Sequence, residues 1–95
     1  MDFEWDEEKA ATNLKKHGVR FAEAASVFLD INALEVFDAE SSVDEDRWVR
    51  IGRSERLKVL VVVYCEKFSP ERIRIISARL ATKSEEKQYC LKRFL

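Results

Sequence analysis

The run LKVLVVVYC, residues 57 to 65, constrains the fold more than any other stretch of the chain. From Val59 onward it is continuously apolar and rich in β-branched residues, the signature of a strand buried on both faces. It falls far short of the roughly 20 residues a membrane helix needs, and no other apolar run approaches that length. SERL (54–57) joins it to the alternating segment RWVRIGR (47–53) at hairpin length, so the two are expected to pair antiparallel. ALEVFD (33–38) reads as a further strand, and the polar loop SSVDED separates it from RWVRIGR. Pro70 in EKFSPE marks the next turn, after which RIRIISAR (72–79) is the fourth strand. The short FEW segment near the start is a candidate extra edge strand.

Helices flank these strands. DEEKAATNLKKHG (6–18) carries a near-complete set of helix punctuation. Asp6 caps its start, Glu7 and Glu8 suit the positive end of the dipole, Lys15, Lys16 and His17 suit the negative end, and Gly18 takes the left-handed stop. FAEAASVFL (21–29) is a second helix suited to packing on a sheet. At the other end, Thr82 and Glu85 have capping-box spacing before SEEKQYCLKRF, which predicts a closing helix. The order is two helices, four strands mostly in a meander, then one helix. This describes an α+β domain, its helices gathered against an antiparallel sheet whose opposite face is partly open.

Ninety-five residues with 46% hydrophobic content and only three Gly plus Pro form one compact domain, residues 1–95. A chain this short buries roughly 60 to 65% of the surface its unfolded form exposes, so a partner covering more apolar area would add to its stability. The net charge of −1 conceals a split. Residues 1–46 hold four Lys/Arg against thirteen Asp/Glu, net −9, and residues 47–95 hold thirteen against five, net +8. Either the surface is bipolar, meeting a polyanion with one side, or acidic helices neutralise basic strands within the molecule. Cys65 and Cys90 lie in apolar runs without CxxC spacing and read as buried thiols of a reducing cytoplasm. The start MDFEWDEE lacks the features of a signal peptide, so the protein is expected to be cytoplasmic and soluble.

Several chemistries find no support in the residues. One His, no HExxH, no paired Cys motif and no EF-hand loop argue against a metal site, although SSVDED would attract a cation loosely. Two glycines are too few for GxGxxG or Walker A loops, so no nucleotide cofactor is expected. His17 with a Ser and an Asp lacks the supporting GxSxG elbow.

The basic half remains. In an ideal strand Arg72, Arg74 and Ile76 share one face while Ile73, Ile75, Ser77 and Arg79 share the other. If Ile73 and Ile75 face the core, Arg79 must lie beyond the sheet or be swung outward by a bulge, and both place it at the strand-to-helix junction. There its guanidinium, Lys83 and the helix amino end could converge on a phosphate. Alternatively, Arg79 pairs with Glu85 or Glu86 and pins the helix. Lys16 and His17 are open to the same two readings, as substrate-facing cations or as helix-terminal charges. Arg53 and Arg56 flank a hairpin turn, where charge is ordinary. Tyr89 is expected to pack with its hydroxyl at the surface, and Trp5 and Trp48 to lie in the core or an interface.

Taken together, FEWDEEKAATNLKKHGVRFAEAASVFLD, ERLKVLVVVY and RIRIISARLATKSEEKQY resemble the BrnT family. The first motif is carried by Phe3, Trp5, Asp6, Lys9, Asn13, Lys16, His17, Gly18, Val19 and Phe21. The second is carried by Arg74, Ile75, Ile76, Ser77, Ala78, Arg79, Ala81, Thr82, Glu85 and Tyr89. The resemblance implies a RelE-like fold and a metal-independent ribonuclease toxin of a type II toxin-antitoxin pair, neutralised by a BrnA antitoxin. On that reading Arg79 stabilises charge on the phosphorane, Arg74 and Lys83 support it, and His17 moves protons. Lys16, Arg53 and Arg72 would hold RNA, and operator DNA would be reached only through the antitoxin. The chain departs from the pattern at Leu80, where many relatives carry a basic residue, and Lys83 is the nearest substitute. A binding module acting as corepressor without catalysis is the alternative. Direct DNA binding ranks last, since no helix shows a basic recognition face.

Overall fold

The computed structural model describes residues 1–43, 45–67 and 71–92. Five strands form one sheet: β1 (Asp2–Glu4), β2 (Leu34–Phe37), β3 (Arg47–Arg53), β4 (Val59–Glu66) and β5 (Arg72–Leu80), in the order β1-β5-β4-β3-β2. The apolar run forms β4, the central strand. β2 through β5 pair antiparallel as a meander, whereas the N-terminal edge strand β1 pairs parallel with β5, which makes the sheet mixed rather than antiparallel throughout. The turn around Pro70 and the predicted end of the last helix lie outside the described residues, as does Asp44 of the acidic loop.

Helix α1 (Glu7–His17) starts and stops on the residues its punctuation predicts. The Asp6 carboxylate accepts from the N–H groups of Glu8 and Lys9, and Gly18 sits at φ 70°, its N–H on the Leu14 carbonyl. α2 (Phe21–Ser26) is shorter than expected, because Val27–Leu29 tighten into a 3₁₀ turn. That turn presses on the sheet at Gly52, where a Cβ would stand 2.7 Å from Val27 Cγ1 and 2.9 Å from the Ala33 Cβ. Only glycine admits so close an approach.

α1 and α2 cover one face of the sheet. Val19, Phe21, Ala24 and Val27 pack there on Leu60, Val62, Tyr64, Ile73, Ile75 and Ala78, with Phe3, Trp5, Phe28 and Trp48 around the rim. Burying each such large side chain is worth about 1.5–3 kcal/mol, so this layer is the main source of stability. α3 (Lys83–Leu91) lies on the second face, not with the other helices, and closes a smaller cluster of Ile51, Val61 and Tyr89. Two details differ from expectation for that reason. Tyr89 is buried and its hydroxyl donates to Asp30 at 2.6 Å instead of facing water, while Cys90, next along the helix, is exposed; only Cys65 is a buried thiol. No helix among the described residues is long and apolar enough to cross a membrane.

The charge split is in part internal. Glu4 pairs with Lys67 at 3.4 Å and with Arg72 at 3.8 Å, and Glu35 pairs with Arg50 at 2.9 Å, so acids of the first half meet cations of the second.

Candidate active site

The parity problem in β5 is solved by a bulge. Val63 pairs with Ser77 but Tyr64 with Ile75, so Ile76 is the extra residue, and the side-chain alternation resets there. Ile73 and Ile75 before it and Ala78 after it all face the α1–α2 core. Arg72, Arg74, Ser77 and Arg79 are thereby gathered on the second face.

Arg79 ends this row, opposite Val61, and the chain turns into α3 within three residues. The Thr82 hydroxyl accepts from the Glu85 N–H at 3.2 Å and the Glu85 carboxylate accepts from the Thr82 N–H at 2.8 Å, closing the capping box. The same carboxylate takes both terminal nitrogens of Arg79, Nη1 on Oε1 at 2.7 Å and Nη2 on Oε2 at 2.8 Å, while Nη1 also donates to the Leu80 carbonyl at 3.3 Å. Nε of Arg79 has no partner among the described residues, and the side chain remains 42% exposed. The Arg79 hydrogen bonds draw the Glu85 carboxyl from 4.5 down to about 2, and Glu85 in turn raises Arg79. Glu85 is therefore a fixed anion and a poor proton acceptor at neutral pH. Lys83 is exposed at the first position of α3, four residues from Arg79.

The other predicted residues are spread out. Arg74 lies on the same face, half-buried and unpaired among the described residues, opposite Cys65. Arg79 sits four β4 positions away, about 13 Å at the backbone, so the two do not close on one point. Arg72 is drawn to Glu4 at the β1 edge. Arg53 ends β3, two strands from β5, with its guanidinium over the Tyr89 ring. Lys16 and His17 line an open groove between α1 and the β5 edge, together with Lys9, Thr12, Ile76 and Ser77. Ser77, on the bulge, connects this groove to the arginine row.

Three further residues matter to this corner. Asn13, buried in mid-helix, donates to the carbonyls of Ala78 at 2.8 Å and Val19 at 3.0 Å and accepts from the Ala78 N–H at 3.1 Å, so its amide serves as the missing strand along the β5 edge. A polar, weak helix former on the core-facing side of α1 was the available signal. Arg47 is the register neighbour of Cys65 on the side away from Arg74, and its buried Nε has no hydrogen-bond partner among the described residues. Asp30 accepts from Tyr89, from the Arg53 N–H at 2.8 Å and from the Asn32 N–H at 2.9 Å. Partial burial pushes its carboxyl up, but these bonds prevail and hold it below the usual range. This junction ties α3 to β3 and to the 3₁₀ turn. Among the described residues no three His, Cys, Asp or Glu side chains come together as a metal site.

Comparison with known proteins agrees with this architecture. The structure is similar to the 1.1 Å crystal structure of the Brucella abortus ribonuclease toxin BrnT, with a TM-score of 0.66 and 27% identity over 87% of this chain and 99% of that one. No curated protein matches in sequence. The family model described as the ribonuclease toxin, BrnT, of type II toxin-antitoxin systems matches residues 5–85, a span that includes both α1 and the β5–α3 junction. The chain belongs to the BrnT family of ribonuclease toxins, and membership in a type II system implies an antitoxin partner.

Proposed function

We propose that the chain is an endoribonuclease that cleaves RNA by attack of a ribose 2′-hydroxyl on the adjacent phosphorus, without a metal. The 2′-O–P bond forms, the P–O5′ bond breaks, and a 2′,3′-cyclic phosphate and a 5′-hydroxyl remain. The proton leaving the 2′-oxygen goes to a base and the departing 5′-oxygen receives one. Arg79 stabilises the charge that builds on the non-bridging oxygens, with Lys83 beside it. His17 moves protons from the groove on the α1 side of the β5 edge. Arg74, about four strand positions away, holds a second phosphate of the same RNA rather than the scissile one. Lys16 extends contact along the groove, and Arg72 and Arg53 mark the outer limits of the basic face. Cleavage of RNA inhibits translation until a BrnA-type antitoxin covers this face; operator DNA is met only through that antitoxin.

The observation that carries this reading is the half-exposed Arg79, fixed at the β5–α3 junction on the same face as Arg74, which has no partner among the described residues. Purified protein incubated with RNA in the presence of a chelator tests it. Cleavage is expected, and Arg79→Ala is expected to lower the rate on the order of 100-fold with the fold intact. Arg74→Ala is expected to weaken RNA binding and its salt dependence more than the rate. Equal activity of wild type and a folded Arg79→Ala variant removes Arg79 from the site.

A second reading, a binding module that acts as corepressor with its antitoxin, is favoured by one feature: the carboxylate of Glu85 occupies both terminal nitrogens of Arg79. Expression without antitoxin separates the two. Growth arrest that Arg79→Ala abolishes supports the nuclease, and growth unaffected by the wild-type chain supports the binding module.

A further inference from the structure

A guanidinium presents two forks of donors. The end-on fork uses one hydrogen from each terminal nitrogen, and the side-on fork uses Nε–H and the remaining hydrogen of Nη2. In Arg79 the carboxylate of Glu85 takes the end-on fork, at 2.7 and 2.8 Å, and the Leu80 carbonyl takes the second hydrogen of Nη1 at 3.3 Å. The side-on fork has no partner among the described residues, in a side chain that is 42% exposed. Glu85 is itself held by the Thr82 N–H at 2.8 Å, so the carboxylate cannot swing without opening the start of α3.

We infer that Glu85 is a positioning residue: it locks the Arg79 guanidinium so that the side-on edge, Nε–H with Nη2–H, is the one that receives a phosphate of RNA. The inference rests on the nuclease reading above and gives the ion pair a role within it. A free arginine must lose rotamer freedom when it grips a phosphate, whereas one already clamped has lost it on folding. The carboxylate holds the adjacent edge, which shares Nη2 with the open one, so it orients the cation without taking the hydrogens that the phosphate would receive. Its negative charge lowers the net charge of the pair, which favours exchange of product over tight retention of any anion. Lysine at position 79 could not serve, because an ammonium has no planar pair of forks to divide between two partners.

The test compares two ways of loosening the start of α3, in the full chain, with single-turnover RNA cleavage and thermal unfolding measured on each. Thr82→Ala removes the cap but leaves Arg79 on Glu85; it is expected to lower Tm and to change the cleavage rate less than about 3-fold. Glu85→Gln retains an oxygen for the Thr82 N–H but sets an amide N–H against Nη2; it is expected to lower the rate about 10- to 100-fold with KM changed far less. Glu85→Asp, which keeps the charge, is expected to recover part of that loss. In the double variant Arg79→Ala with Glu85→Gln, the rate is expected to equal that of Arg79→Ala alone, because Glu85 has nothing left to position. Losses that multiply in the double variant, or rates that follow Tm alike in Thr82→Ala and Glu85→Gln, overturn the inference. So does a wild-type rate in Glu85→Gln when Arg79→Ala is inactive, an outcome that leaves the nuclease reading standing. An active Arg79→Ala instead fails that reading itself.

Discussion

Arg50 on one face of the sheet and Arg74 and Arg79 on the other are used in opposite ways. On the α1–α2 face, Arg50 spends its donors on the chain itself: Nε on the Val27 carbonyl at 3.3 Å, Nη2 on the Asp30 carbonyl and Nη1 on Glu35, both at 2.9 Å. On the α3 face, Arg74 has no partner among the described residues and Arg79 keeps one fork open. The difference follows from what covers each face. Among the described residues, ten buried side chains form the core between α1–α2 and the sheet, while three form the cluster between α3 and the sheet. A face closed by apolar packing must satisfy every polar group it traps, and a face left half open can hold cations ready for an anion from solution. Stability is concentrated on one side, and on the reading proposed above the other side offers the arginines that meet the phosphates.

The sharpest way to break this comparison is to weaken the closed face. Leu60 is fully buried on the α1–α2 side, and Leu60→Ala is expected to cost about 2–5 kcal/mol, a large share of the roughly 5–15 kcal/mol that holds such a domain. Urea unfolding measures the loss. The cleavage rate per folded molecule should stay within a few-fold of wild type, whereas Arg79→Ala should do the reverse. If both variants lose stability and rate together, the faces are not separate in function.

A smaller effect is expected where the faces meet, at the β5 edge. Asn13→Ala leaves the Ala78 N–H and C=O without their partner in a buried position, at a cost of about 1–3 kcal/mol. Amide exchange at Ala78 should accelerate more than at Val62 in the central strand. Exchange that rises equally at both sites would show that Asn13 contributes to the fold as a whole rather than to this edge.

What could be read from the chain beforehand also divides along these lines. The closed face was legible because packing leaves a periodic record: LKVLVVVYC became the central strand, and Asp6, Gly18, Thr82 and Glu85 marked helix ends where they fall. The parity conflict in RIRIISAR even indicated that something must turn Arg79 outward, and the bulge at Ile76 does so. The position of α3 was not legible. Its apolar residues are few, and nothing in SEEKQYC tells which face Tyr89 will enter; that depends on Asp30, 59 residues earlier, which accepts its hydroxyl. Likewise, Glu85 was visible both as a cap and as a partner for Arg79, but only geometry shows one carboxylate serving both. Local signals name a residue's first contact, and long-range placement decides its second.

The smallest effect separates the ion pair from the cap it shares. Glu85 has its carboxyl drawn from 4.5 to about 2, mainly by Arg79, so the unfolded chain binds the proton more tightly, ionisation favours the folded chain and protonation favours unfolding. The stability this supplies is fully present above about 4.5 and is lost as pH falls toward about 2. Asp30, also held low, works in the same direction, so the difference between wild type and Glu85→Gln isolates the pair. That difference, followed as urea midpoints from pH 7 downward, is expected to be constant to about 4.5 and then to shrink, closing near 2. Added salt should reduce it only modestly, because Glu85 is 21% exposed and its bonds to Arg79 are direct. A difference that ignores pH over this range would mean that Arg79 is not clamped in solution, and the α3 face would then hold it, like Arg74, without a partner among the described residues.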